Sequence, residues 1–447
     1  MIKVITYGTF DLFHQGHINL LKRAKQLGDY LIVGVTSDSY DRERGKLNVQ
    51  ESLVQRIQNI KESGLADEII IEEYEGQKVV DIEKYSIDKF VIGSDWIGKF
   101  DYLKQFCEVI YLERTKGISS TELRSQKNNI LKIGIIGSGR IAKRFVKEAR
   151  YVSGVNIEGV LSRNEENCKK FAKENELNFY SIDYEEFIKK VDAVYIATPH
   201  KTHYEYIKKS LELEKHVLCE KPMVLSKNEA IELYDLAKEK KVVLLEAIKT
   251  AYCPAYEKMM SIAKSGVIGE IKDIEACFTK LVSGNIRELE RDEAGGSVTE
   301  LATYPLLPII ELLGKTDDVE FYSYFDENRN IDLYTKIFLK YSKGLTAIAK
   351  VGLGVKSEGE LIISGTKGYI YAPAPWWKTE YFEVRFEDLT KNKKYFYKFE
   401  EDGLRYELAE FLKLINAREI ESYKLKKEVS IEILSIIDKF LEKMRIK

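Results

Sequence analysis

Two histidines lie three residues apart near the start of the chain, in Thr9-Phe-Asp-Leu-Phe-His14-Gln-Gly-His17. They flank a glycine at a predicted helix N-terminus, so two imidazoles and the N–H groups of a first helical turn would face one anion. The same residues also fit a capped helix with two partly exposed histidines. A second cluster, Arg114-Thr-Lys-Gly-Ile-Ser119-Ser-Thr121, offers a guanidinium, a tight turn and three hydroxyls at another predicted helix start. Together the two clusters predict a polyphosphate site.

A glycine turn, Gly137-Ser-Gly-Arg-Ile-Ala142, follows a predicted buried strand at 132–136 and opens a helix. This pattern between a strand and a helix is typical of a dinucleotide-binding fold. The next strand ends in Ser162-Arg163, where an NAD-specific enzyme usually has an acidic residue for the ribose diol. The pair favours the 2′-phosphate of NADP(H), although an arginine exposed on a loop fits as well and NAD(H) stays open. Glu220-Lys221-Pro222 follows a later strand, and its lysine is predicted to point into a cleft.

The elements that must position these residues are strands alternating with helices, which predict parallel, doubly wound sheets. Ligands of such sheets bind at the carboxyl ends of the strands, where the polar clusters fall. The alternation restarts after a short polar connection at 127–129 and ends near residue 250, so two α/β domains are predicted. The strands of the first are predicted at 2–7, 31–35, 69–72, 89–92 and 108–112.

Strands dominate the chain after residue 250. They are predicted at 271–282, 319–325, 332–341, 345–351, 358–364, 369–372, 381–386 and 394–399, with final helices at 406–415 and 427–444. The predicted fold class is α/β, with a Rossmann-like domain at 1–128, a dinucleotide-binding Rossmann domain at 131–250 and an α+β domain at 251–447. Trp376 and Trp377 follow two prolines and are predicted either to cover a substrate or to form an interface patch.

The composition bounds the class of protein. The 447 residues include 70 Lys and Arg against 72 Asp and Glu, for a net charge of -2, which argues against a general nucleic-acid or membrane-surface binder. Five scattered cysteines without CxxC spacing predict reduced thiols and no metal site of their own. No signal-peptide pattern and no apolar run of about 20 residues is present, so a soluble cytoplasmic protein is expected.

The first 128 residues closely resemble the glycerol-3-phosphate cytidylyltransferase family of HxGH nucleotidylyltransferases. Besides the two clusters above, the resemblance rests on Tyr7-Gly-Thr-Phe-Asp11, Ala24-Lys-Gln-Leu-Gly-Asp-Tyr30 and Gly93-Ser-Asp-Trp-Ile-Gly-Lys-Phe-Asp101. It implies a Rossmann-like fold and transfer of CMP from CTP, with Mg²⁺ accompanying the CTP. Gly64 stands where relatives often have an arginine, and Ser120 where they have a threonine, so the acceptor stays open.

The same resemblance implies the roles of individual residues. His14 and His17 would stabilise the charge on the CTP α-phosphate and the leaving pyrophosphate, with Arg114 as a further catalytic residue. The nucleotide would be held by Thr9, Phe10, Asp11, Lys46, Ser119, Ser120 and Thr121. The acceptor would be held by Arg44, Lys78, Asp95 and Trp96.

Residues 131–447 resemble the Gfo/Idh/MocA oxidoreductase family, through the glycine turn, Thr198-Pro-His-Lys-Thr-His203 and Glu220-Lys221-Pro222. The resemblance implies that Lys221 acts as, or assists, the acid/base at the substrate oxygen. It also implies a large, mostly antiparallel sheet that supplies a substrate wall and an oligomer face. The residues implied at the cofactor are Gly137, Ser138, Gly139, Arg140, Ile141, Ser162, Arg163, Thr198, Pro199, His203 and Glu220.

A second catalytic position is less regular. Relatives have two glycines, an aspartate and, four residues further, a histidine or tyrosine, whereas this chain has Gly295-Gly296, Glu300 and Tyr304. A four-residue spacing predicts both side chains on one helix face. Tyr304 would then donate to a substrate carbonyl beside Lys221, and Glu300 would keep the role of the aspartate or mark a domain that binds cofactor without turnover.

The two resemblances predict a bifunctional enzyme that makes a CDP-polyol. NADPH-dependent reduction of a ketose phosphate would yield a polyol phosphate, which would take CMP from CTP with release of pyrophosphate, for a capsule or teichoic-type polymer. Fructose 6-phosphate, ribulose 5-phosphate and dihydroxyacetone phosphate are the candidate substrates, and a homo-oligomer, dimer or tetramer, is expected. The alternative is a glycerol-3-phosphate cytidylyltransferase fused to an unrelated sugar dehydrogenase or to an inactive cofactor-binding scaffold.

Overall fold

The computed structural model of the chain describes residues 1–113, 130–284 and 286–445. The chain divides into two compact units, Met1–Leu131 with Arg150–Asn156, and Lys132–Ala149 with Ile157–Lys447. Each unit has its own sheets and its own hydrophobic core. Four predicted site residues lie outside the described residues: Arg114, Ser119, Ser120 and Thr121.

The first unit contains a five-stranded parallel sheet with the order β3-β2-β1-β4-β5. Neighbouring residues of β1 pack into two different clusters, Val4 with Leu21 and Val33, Ile5 with Ile32 and Phe90, because successive side chains of a strand point to opposite faces. Both faces are therefore covered, as in parallel sheets generally. The strands are β1 (Lys3–Gly8), β2 (Tyr30–Thr36), β3 (Glu68–Glu72), β4 (Lys89–Gly93) and β5 (Glu108–Leu112), and the helices α1 (Gln15–Lys25), α2 (Asp38–Glu43), α3 (Leu53–Ser63) and α4 (Gln77–Tyr85).

The second unit begins with a six-stranded sheet of order β11-β10-β9-β6-β7-β8. Consecutive strands run outward from β6 in one direction and from β9 in the other, so the strand order reverses between β6 and β9, where doubly wound sheets bind their ligands. The strands are β6 (Leu131–Ile136), β7 (Val155–Leu161), β8 (Phe179–Ser181), β9 (Ala193–Ile196), β10 (His216–Glu220) and β11 (Leu244–Ala247). The helices are α5 (Arg140–Ala149), α6 (Glu165–Glu174), α7 (Tyr184–Ile188), α8 (His203–Glu212) and α9 (Lys227–Lys240).

The rest of this unit carries an eight-stranded sheet of order β13-β14-β15-β12-β16-β17-β18-β19. The pair β12–β15 is parallel and the others are antiparallel, which confirms the predicted mostly antiparallel sheet and the α/β fold class. The strands are β12 (Ile271–Thr279), β13 (Asp318–Asp326), β14 (Ile331–Tyr341), β15 (Leu345–Gly352), β16 (Leu361–Gly365), β17 (Tyr369–Ala372), β18 (Tyr381–Arg385) and β19 (Lys393–Phe396). The helices are α10 (Pro254–Lys264), α11 (Ser297–Leu301), α12 (Thr303–Leu313), α13 (Leu404–Ala417) and α14 (Lys427–Arg445).

Glu300 and Tyr304 do not share one continuous helix. Glu300 lies in the five-residue helix α11, which ends at Leu301, and Tyr304 lies in the first turn of α12. Pro305 follows Tyr304, and because proline lacks an N–H group it cannot continue the hydrogen bonding of α11. The first turn of a new helix tolerates a proline, so the break falls between the two candidate residues.

Over the described ranges, none of the helices is both long enough and apolar enough for a membrane span.

Candidate active sites

The two histidines of the first unit lie at the start of α1. His14 is the N-cap residue, and its Nδ1 accepts a hydrogen bond of 3.0 Å from the Gly16 N–H, so the proton of a neutral ring is on Nε2. The His14 and His17 rings stack with centroids 3.9 Å apart and planes 18° apart, and Phe10 packs edge-on against His17 at 5.3 Å. His14 is thus a helix cap, as one interpretation of the sequence predicts, and its imidazole lies beside a second one at a helix N-terminus.

The turn before these histidines has an uncommon backbone conformation. Phe10 and Leu12 both have positive φ, at 54° and 48°, a region that non-glycine residues seldom adopt. Phe10 is also buried in the core beneath the turn. Strain of this kind costs roughly 1–3 kcal/mol per residue and concentrates at functional sites, which supports a binding role for this turn.

Thr9 and Arg44 meet at a buried carboxylate that the sequence analysis did not single out. The Asp41 Oδ1 accepts hydrogen bonds from Thr9 Oγ1 at 3.0 Å and from Arg44 Nη2 at 2.9 Å, and Arg44 also donates to Thr9 at 2.8 Å. The second oxygen pairs with Arg56 Nη1 at 3.3 Å, and the Arg56 side chain is fully buried. Arg56 Nη1 further donates to the Thr9 carbonyl oxygen at 2.7 Å. Asp41 and Arg56 therefore hold two predicted substrate-binding residues in place.

Other predicted residues of this unit lie around the same sheet edge. Asp11 is buried and accepts hydrogen bonds from the backbone N–H groups of Gln50 and Glu51, at 2.9–3.1 Å, so its carboxylate orders the loop before α3. The Lys46 N–H donates to the Asp41 carbonyl oxygen at 2.7 Å. Asp11 thus supports the turn, and Lys46 stays a predicted contact to the nucleotide.

The predicted acceptor residues Lys78 and Trp96 both contact Phe100. The Lys78 ammonium lies 5.3 Å from the Phe100 ring and pairs with the buried carboxylate of Glu72, and burial lowers its pKa. The Trp96 ring is tilted against Phe100 at 5.9 Å, and Asp95 is exposed in the same 3-10 turn. The structure brings Lys78, Asp95 and Trp96 to the carboxyl ends of β3 and β4.

The glycine turn of the second unit fits a dinucleotide. Gly137 has a φ of 107°, and a Cβ there would come within 2.5 Å of the Ala197 carbonyl oxygen, so only glycine allows β6 and β9 to approach in this way. A Cβ on Gly139 would meet nothing within 4 Å, which leaves an open cradle at the start of α5. Ser138 Oγ donates to Ser162 Oγ at 3.1 Å, which joins the turn to the end of β7.

A surface cavity with charged walls lies beside this cradle. It has a volume of about 320 Å³ and is lined by Ser138, Gly139 and Arg140 and also by Lys143, Lys170 and Glu174, the carboxylate with which both lysines pair. Arg163 is exposed beyond the end of β7, and Ile141 is half-buried in the first turn of α5. Arg140 pairs with Glu288 at 3.0 Å. The residues present therefore suit the phosphates and ribose of a nicotinamide dinucleotide.

His203 connects the two loops at the nicotinamide end. It is fully buried, with Nε2 2.8 Å from the Thr198 carbonyl oxygen and Nδ1 3.1 Å from the Pro222 carbonyl oxygen. Burial lowers its pKa. His203 thus positions the Thr198-Pro199 loop against the residue after Lys221, a supporting role that the sequence did not distinguish from cofactor contact.

Lys221 reaches the second candidate position. Its Nζ donates to the Glu300 carbonyl oxygen at 2.8 Å and lies 5.4 Å from the centroid of the Tyr304 ring. Burial raises the pKa of Tyr304 well above its ordinary value, so its hydroxyl remains a donor. Before Lys221, the Glu220 carboxylate accepts a hydrogen bond of 2.5 Å from Tyr195, and burial raises its pKa. The broken helix therefore still places Tyr304 beside Lys221.

The Glu300 carboxylate is held by Arg287 and lies near His200, two residues that were not predicted. Arg287 approaches both of its oxygens, at 2.8 and 3.1 Å, and His200 Nδ1 lies 3.8 Å from Oε1. Burial, followed by the charges of His203, Arg287 and Lys221, lowers the pKa of His200 well below its ordinary value. The sequence could have indicated His200, because this residue directly follows Thr198-Pro199. Arg287 lies in an irregular segment in which no motif indicates a functional residue.

The two tryptophans after the prolines have different environments. Trp376 is fully buried and its indole N–H donates to the Cys277 carbonyl oxygen at 2.9 Å, so it belongs to the core. Trp377 is half-buried and stacks on Phe278, with centroids 3.7 Å apart, and Phe278 contacts Tyr304 at 5.1 Å. These rings connect Trp377 to the candidate catalytic position.

No group of three or more metal-ligating side chains occurs within residues 1–113, 130–284 and 286–445.

Three family models match the chain in comparisons with known proteins. Residues 5–126 match the family described as cytidylyltransferase-like. Residues 131–247 match the oxidoreductase family with an NAD-binding Rossmann fold, and residues 256–371 match the GFO/IDH/MocA C-terminal domain.

Individual relatives cover each part of the chain. The glycerol-3-phosphate cytidylyltransferase of Bacillus spizizenii is 54% identical over 124 residues, which are 28% of this chain and 95% of that protein. The trans-1,2-dihydrobenzene-1,2-diol dehydrogenase of Xenopus laevis is 28% identical over 252 residues, which are 55% of this chain and 76% of that protein. A crystal structure of KijD10, a 3-ketoreductase from Actinomadura kijaniata with NADP and TDP-benzene, has a TM-score of 0.62 and 22% identity, over 69% of this chain and 96% of that one.

Proposed function

This chain belongs to the cytidylyltransferase-like family through its N-terminal part and to the Gfo/Idh/MocA oxidoreductase family through the remainder, and from that premise we propose that it makes a CDP-polyol. An NADPH-dependent reduction of a ketose phosphate supplies a polyol phosphate, and CMP transfer from CTP then activates it. The observation that carries the proposal is the presence of both the His14–His17 pair and the Lys221–Tyr304 pair in one chain.

The transfer step needs positioning and charge neutralisation more than a strong base. An oxygen of the polyol phosphate attacks the α-phosphorus of CTP, and the bond to pyrophosphate breaks. The imidazoles of His14 and His17 donate to the phosphate oxygens as charge moves to the leaving group, a role that their stacking at a helix N-terminus supports. In this proposal Thr9 binds the nucleotide and Arg44 binds the acceptor. Arg114, Ser119, Ser120 and Thr121 are assigned to the same site.

The reduction step uses Lys221 and Tyr304. NADPH, when bound, supplies the hydride. The Lys221 ammonium, fixed by the Glu300 carbonyl oxygen, gives a proton to the substrate carbonyl oxygen as that oxygen becomes a hydroxyl, and the Tyr304 hydroxyl donates to the same oxygen. Arg287 holds the Glu300 carboxylate, and Gly137 to Ile141, with Ser162 and Arg163, hold the cofactor.

The two reactions share one intermediate, which is the reason to join them. Reduction of an open-chain ketose phosphate leaves the phosphate group untouched, and that group is the nucleophile of the second reaction. Fructose 6-phosphate is the first candidate, with ribulose 5-phosphate and dihydroxyacetone phosphate as others, and the activated polyol suits a capsule or teichoic-type polymer. The chain acts in the cytoplasm as a homo-oligomer, a dimer or a tetramer.

One incubation tests the proposal. The full chain is mixed with CTP, Mg²⁺, NADPH and each ketose phosphate in turn, and the products are analysed by mass spectrometry. The expected product is a CDP-polyol two hydrogens heavier than the corresponding CDP-ketose. If no ketose phosphate oxidises NADPH while glycerol 3-phosphate still gives CDP-glycerol, the reductive step is refuted. Turnover of an unphosphorylated sugar would instead indicate an unrelated dehydrogenase, and cofactor binding without hydride transfer an inactive scaffold.

Two variants assign the steps to their sites. His17→Ala should lower CMP transfer by roughly 10²–10³-fold, because a donor to developing phosphate charge is lost, and should leave NADPH oxidation unchanged. Lys221→Ala should lower NADPH oxidation by roughly 10²–10⁴-fold and leave CMP transfer from an added polyol phosphate unchanged. Each variant is the folding control of the other, and loss of both activities in either one would contradict the assignment.

A further inference from the structure

Two lysines follow neighbouring strand ends in the oxidoreductase unit. Strand β10 ends at Glu220, strand β11 ends at Ala247, and these two residues are paired in parallel register. Lys221 comes one residue after the first strand end and Lys249 two residues after the second. Both lysines therefore lie at the carboxyl edge of the sheet, which is the ligand-binding edge of a doubly wound fold. Lys221 has a role in the reduction, and Lys249 has none so far.

Lys249 has a half-buried side chain and no counter-charge in contact with it. Among the residues that the structure describes, no carboxylate comes within ion-pair distance of its ammonium, whereas the half-buried Lys378 is paired with Asp402 at 2.9 Å. Burial and then the nearby charge of Lys378 lower the pKa of Lys249, and Asp402 and Glu407 act in the opposite direction. A charge removed from water is costly unless an opposite charge accompanies it. The carboxylates of Glu220, Asp402 and Glu407 are near Lys249 but do not pair with it, so within the described residues its ammonium has no ion-pair partner that a bound anion would have to displace.

Lys378 lies on the segment that packs against Lys249. The hydroxyl of Thr250, the residue after Lys249, donates to the Trp377 carbonyl oxygen at 2.9 Å, so the two segments are joined directly. Lys378 Nζ donates to Asp402 Oδ1 at 2.9 Å and to the Glu401 carbonyl oxygen at 3.0 Å. These bonds use two of its three N–H groups and leave a donor for a ligand.

This lysine pair is connected to the reducing position by a row of aromatic rings. Trp377, which precedes Lys378, stacks on Phe278 at 3.7 Å, and Phe278 contacts Tyr304 at 5.1 Å. The Tyr304 ring in turn lies 5.4 Å from the ammonium of Lys221. A carbon chain along this row would have its carbonyl at Lys221 and its far end toward Lys249 and Lys378. An anionic group at that far end would meet two ammonium groups.

We propose that Lys249 and Lys378 bind the phosphate group of the ketose phosphate whose carbonyl is reduced at Lys221. The inference rests on the proposed function for the identity of the substrate, but the anion site itself is defined by the contacts of the two lysines. It assigns this pair to the substrate and not to the phosphates of the cofactor, which belong to the glycine turn at Gly137–Gly139 and to Arg163. The lysine pair selects a phosphorylated substrate over the free sugar.

The test compares the full chain with Lys249→Met and Lys378→Met, with Lys272→Met, an exposed lysine of β12, as the matched control. Methionine keeps the length of the lysine side chain and loses the charge. The first readout is the fluorescence of bound NADPH during titration with inorganic phosphate and with each ketose phosphate, in the absence of CTP. The second is steady-state NADPH oxidation, for each ketose phosphate and for the same ketose without phosphate.

The expected result is a KM for the ketose phosphate raised roughly ten- to hundredfold in Lys249→Met, the effect of losing a hydrogen bond to a charged group. The kcat, the NADPH affinity and the KM for the free ketose should stay within about threefold of the parent chain, and Lys378→Met should show a smaller rise. Unchanged NADPH affinity also establishes that the variants fold.

The outcomes that would contradict the inference can be distinguished from those that would contradict the proposed function. If the parent chain turns over ketose phosphates and Lys249→Met has the same KM, the inference is wrong and the proposed function stands. If the parent turns over none of them, the proposed function fails, and the phosphate titration alone decides: weaker phosphate binding in Lys249→Met supports the anion site, and equal binding overturns it. A loss of NADPH affinity in Lys249→Met would assign the lysine to the cofactor and also overturn the inference.

Discussion

At the scale of single residues, Asp41 links two side chains that are predicted to bind substrate to the core of the transferase unit. One of its oxygens receives Thr9 and Arg44, and the other receives Thr36 and the fully buried Arg56. A buried arginine without its partner is strongly destabilising, so Asp41 contributes to stability as well as to the orientation of the site.

We therefore expect Asp41→Asn to affect both properties. The amide keeps the shape of the carboxylate but removes the charge that orients Arg44 and balances Arg56. The KM for CTP or for the acceptor should rise about tenfold, and the free energy of unfolding of this unit should fall by roughly 3 kcal/mol. Transferase kinetics and urea unfolding measure the two effects.

Asp38→Asn is the matched control. Asp38 pairs with the same Arg56, but its side chain is 52% exposed, so its loss should cost less than about 1 kcal/mol. NADPH oxidation, which belongs to the other unit, should be normal in both variants. Equal effects of the two substitutions would show that burial of Asp41 is not what matters.

Asp332 makes the helix that carries Glu300 sensitive to pH. It is buried, and its Oδ2 accepts hydrogen bonds from the Val298 N–H at 3.0 Å and from Thr335 Oγ1 at 2.7 Å. Burial raises its pKa from 3.8 to about 6. Because the folded-state pKa lies above the unfolded value, the group contributes stability below about pH 4, and that contribution is lost as the pH rises through about 6.

Asp332→Asn should remove this dependence. We compare the free energy of unfolding of the second unit in the parent chain and in the variant. Between pH 4 and 6.5 the value for the parent should fall by about 3 kcal/mol relative to that of the variant, and above this range the difference should be constant. Urea unfolding at a series of pH values measures it. Parallel stability curves for the two proteins across the whole range would contradict the assignment.

At the scale of elements, the two glycines of the turn before α5 are expected to be needed for different reasons. Gly137 is needed for the fold and Gly139 for the binding of the cofactor. Gly137→Ala would place a Cβ 2.5 Å from the Ala197 carbonyl oxygen at a positive φ, so the β6–β9 junction must shift and both stability and NADPH affinity should fall. Gly139→Ala meets no atom within 4 Å, so this variant should fold normally.

The informative result is the NADPH affinity of Gly139→Ala. If the cofactor backbone passes close to this glycine, the added methyl group should weaken NADPH binding by about tenfold or more without lowering the thermal stability of the free protein. Fluorescence titration and thermal unfolding distinguish the two effects. Normal NADPH binding by Gly139→Ala would mean that the cofactor does not pass over this turn.

The strands and helices could be predicted well because the sequence patterns that indicate them are local. The apolar runs gave strands such as β5 and β17 at the observed positions, since buried strands are continuous hydrophobic segments bounded by turns. The break between Glu300 and Tyr304 could not be inferred from spacing, because the i, i+4 rule assumes a continuous helix. Asp41 and Arg287 were missed because their roles depend on residues that only the tertiary fold brings together.

At the scale of the whole molecule, the restart of the strand–helix alternation predicted a second doubly wound sheet, and the six-stranded sheet of β6 to β11 confirms it. Each unit has its own core. The residues that distinguish the two activities, His14 and His17 on one side and Lys221 and Tyr304 on the other, also fall in different units.

Because each unit has its own core and its own expected ligand, we predict that each ligand raises the unfolding temperature of one unit only. A ligand that binds only the folded state at 100 times its Kd stabilises that state by about 2.7 kcal/mol. CTP should therefore raise the transition of the transferase unit by several degrees, and NADPH that of the oxidoreductase unit, in a calorimetric scan of the full chain. Gly137→Ala should abolish the response to NADPH and preserve the response to CTP. If either ligand moved every transition equally, the units would unfold as one cooperative body, and the separation of the two activities into independent folding units would be wrong.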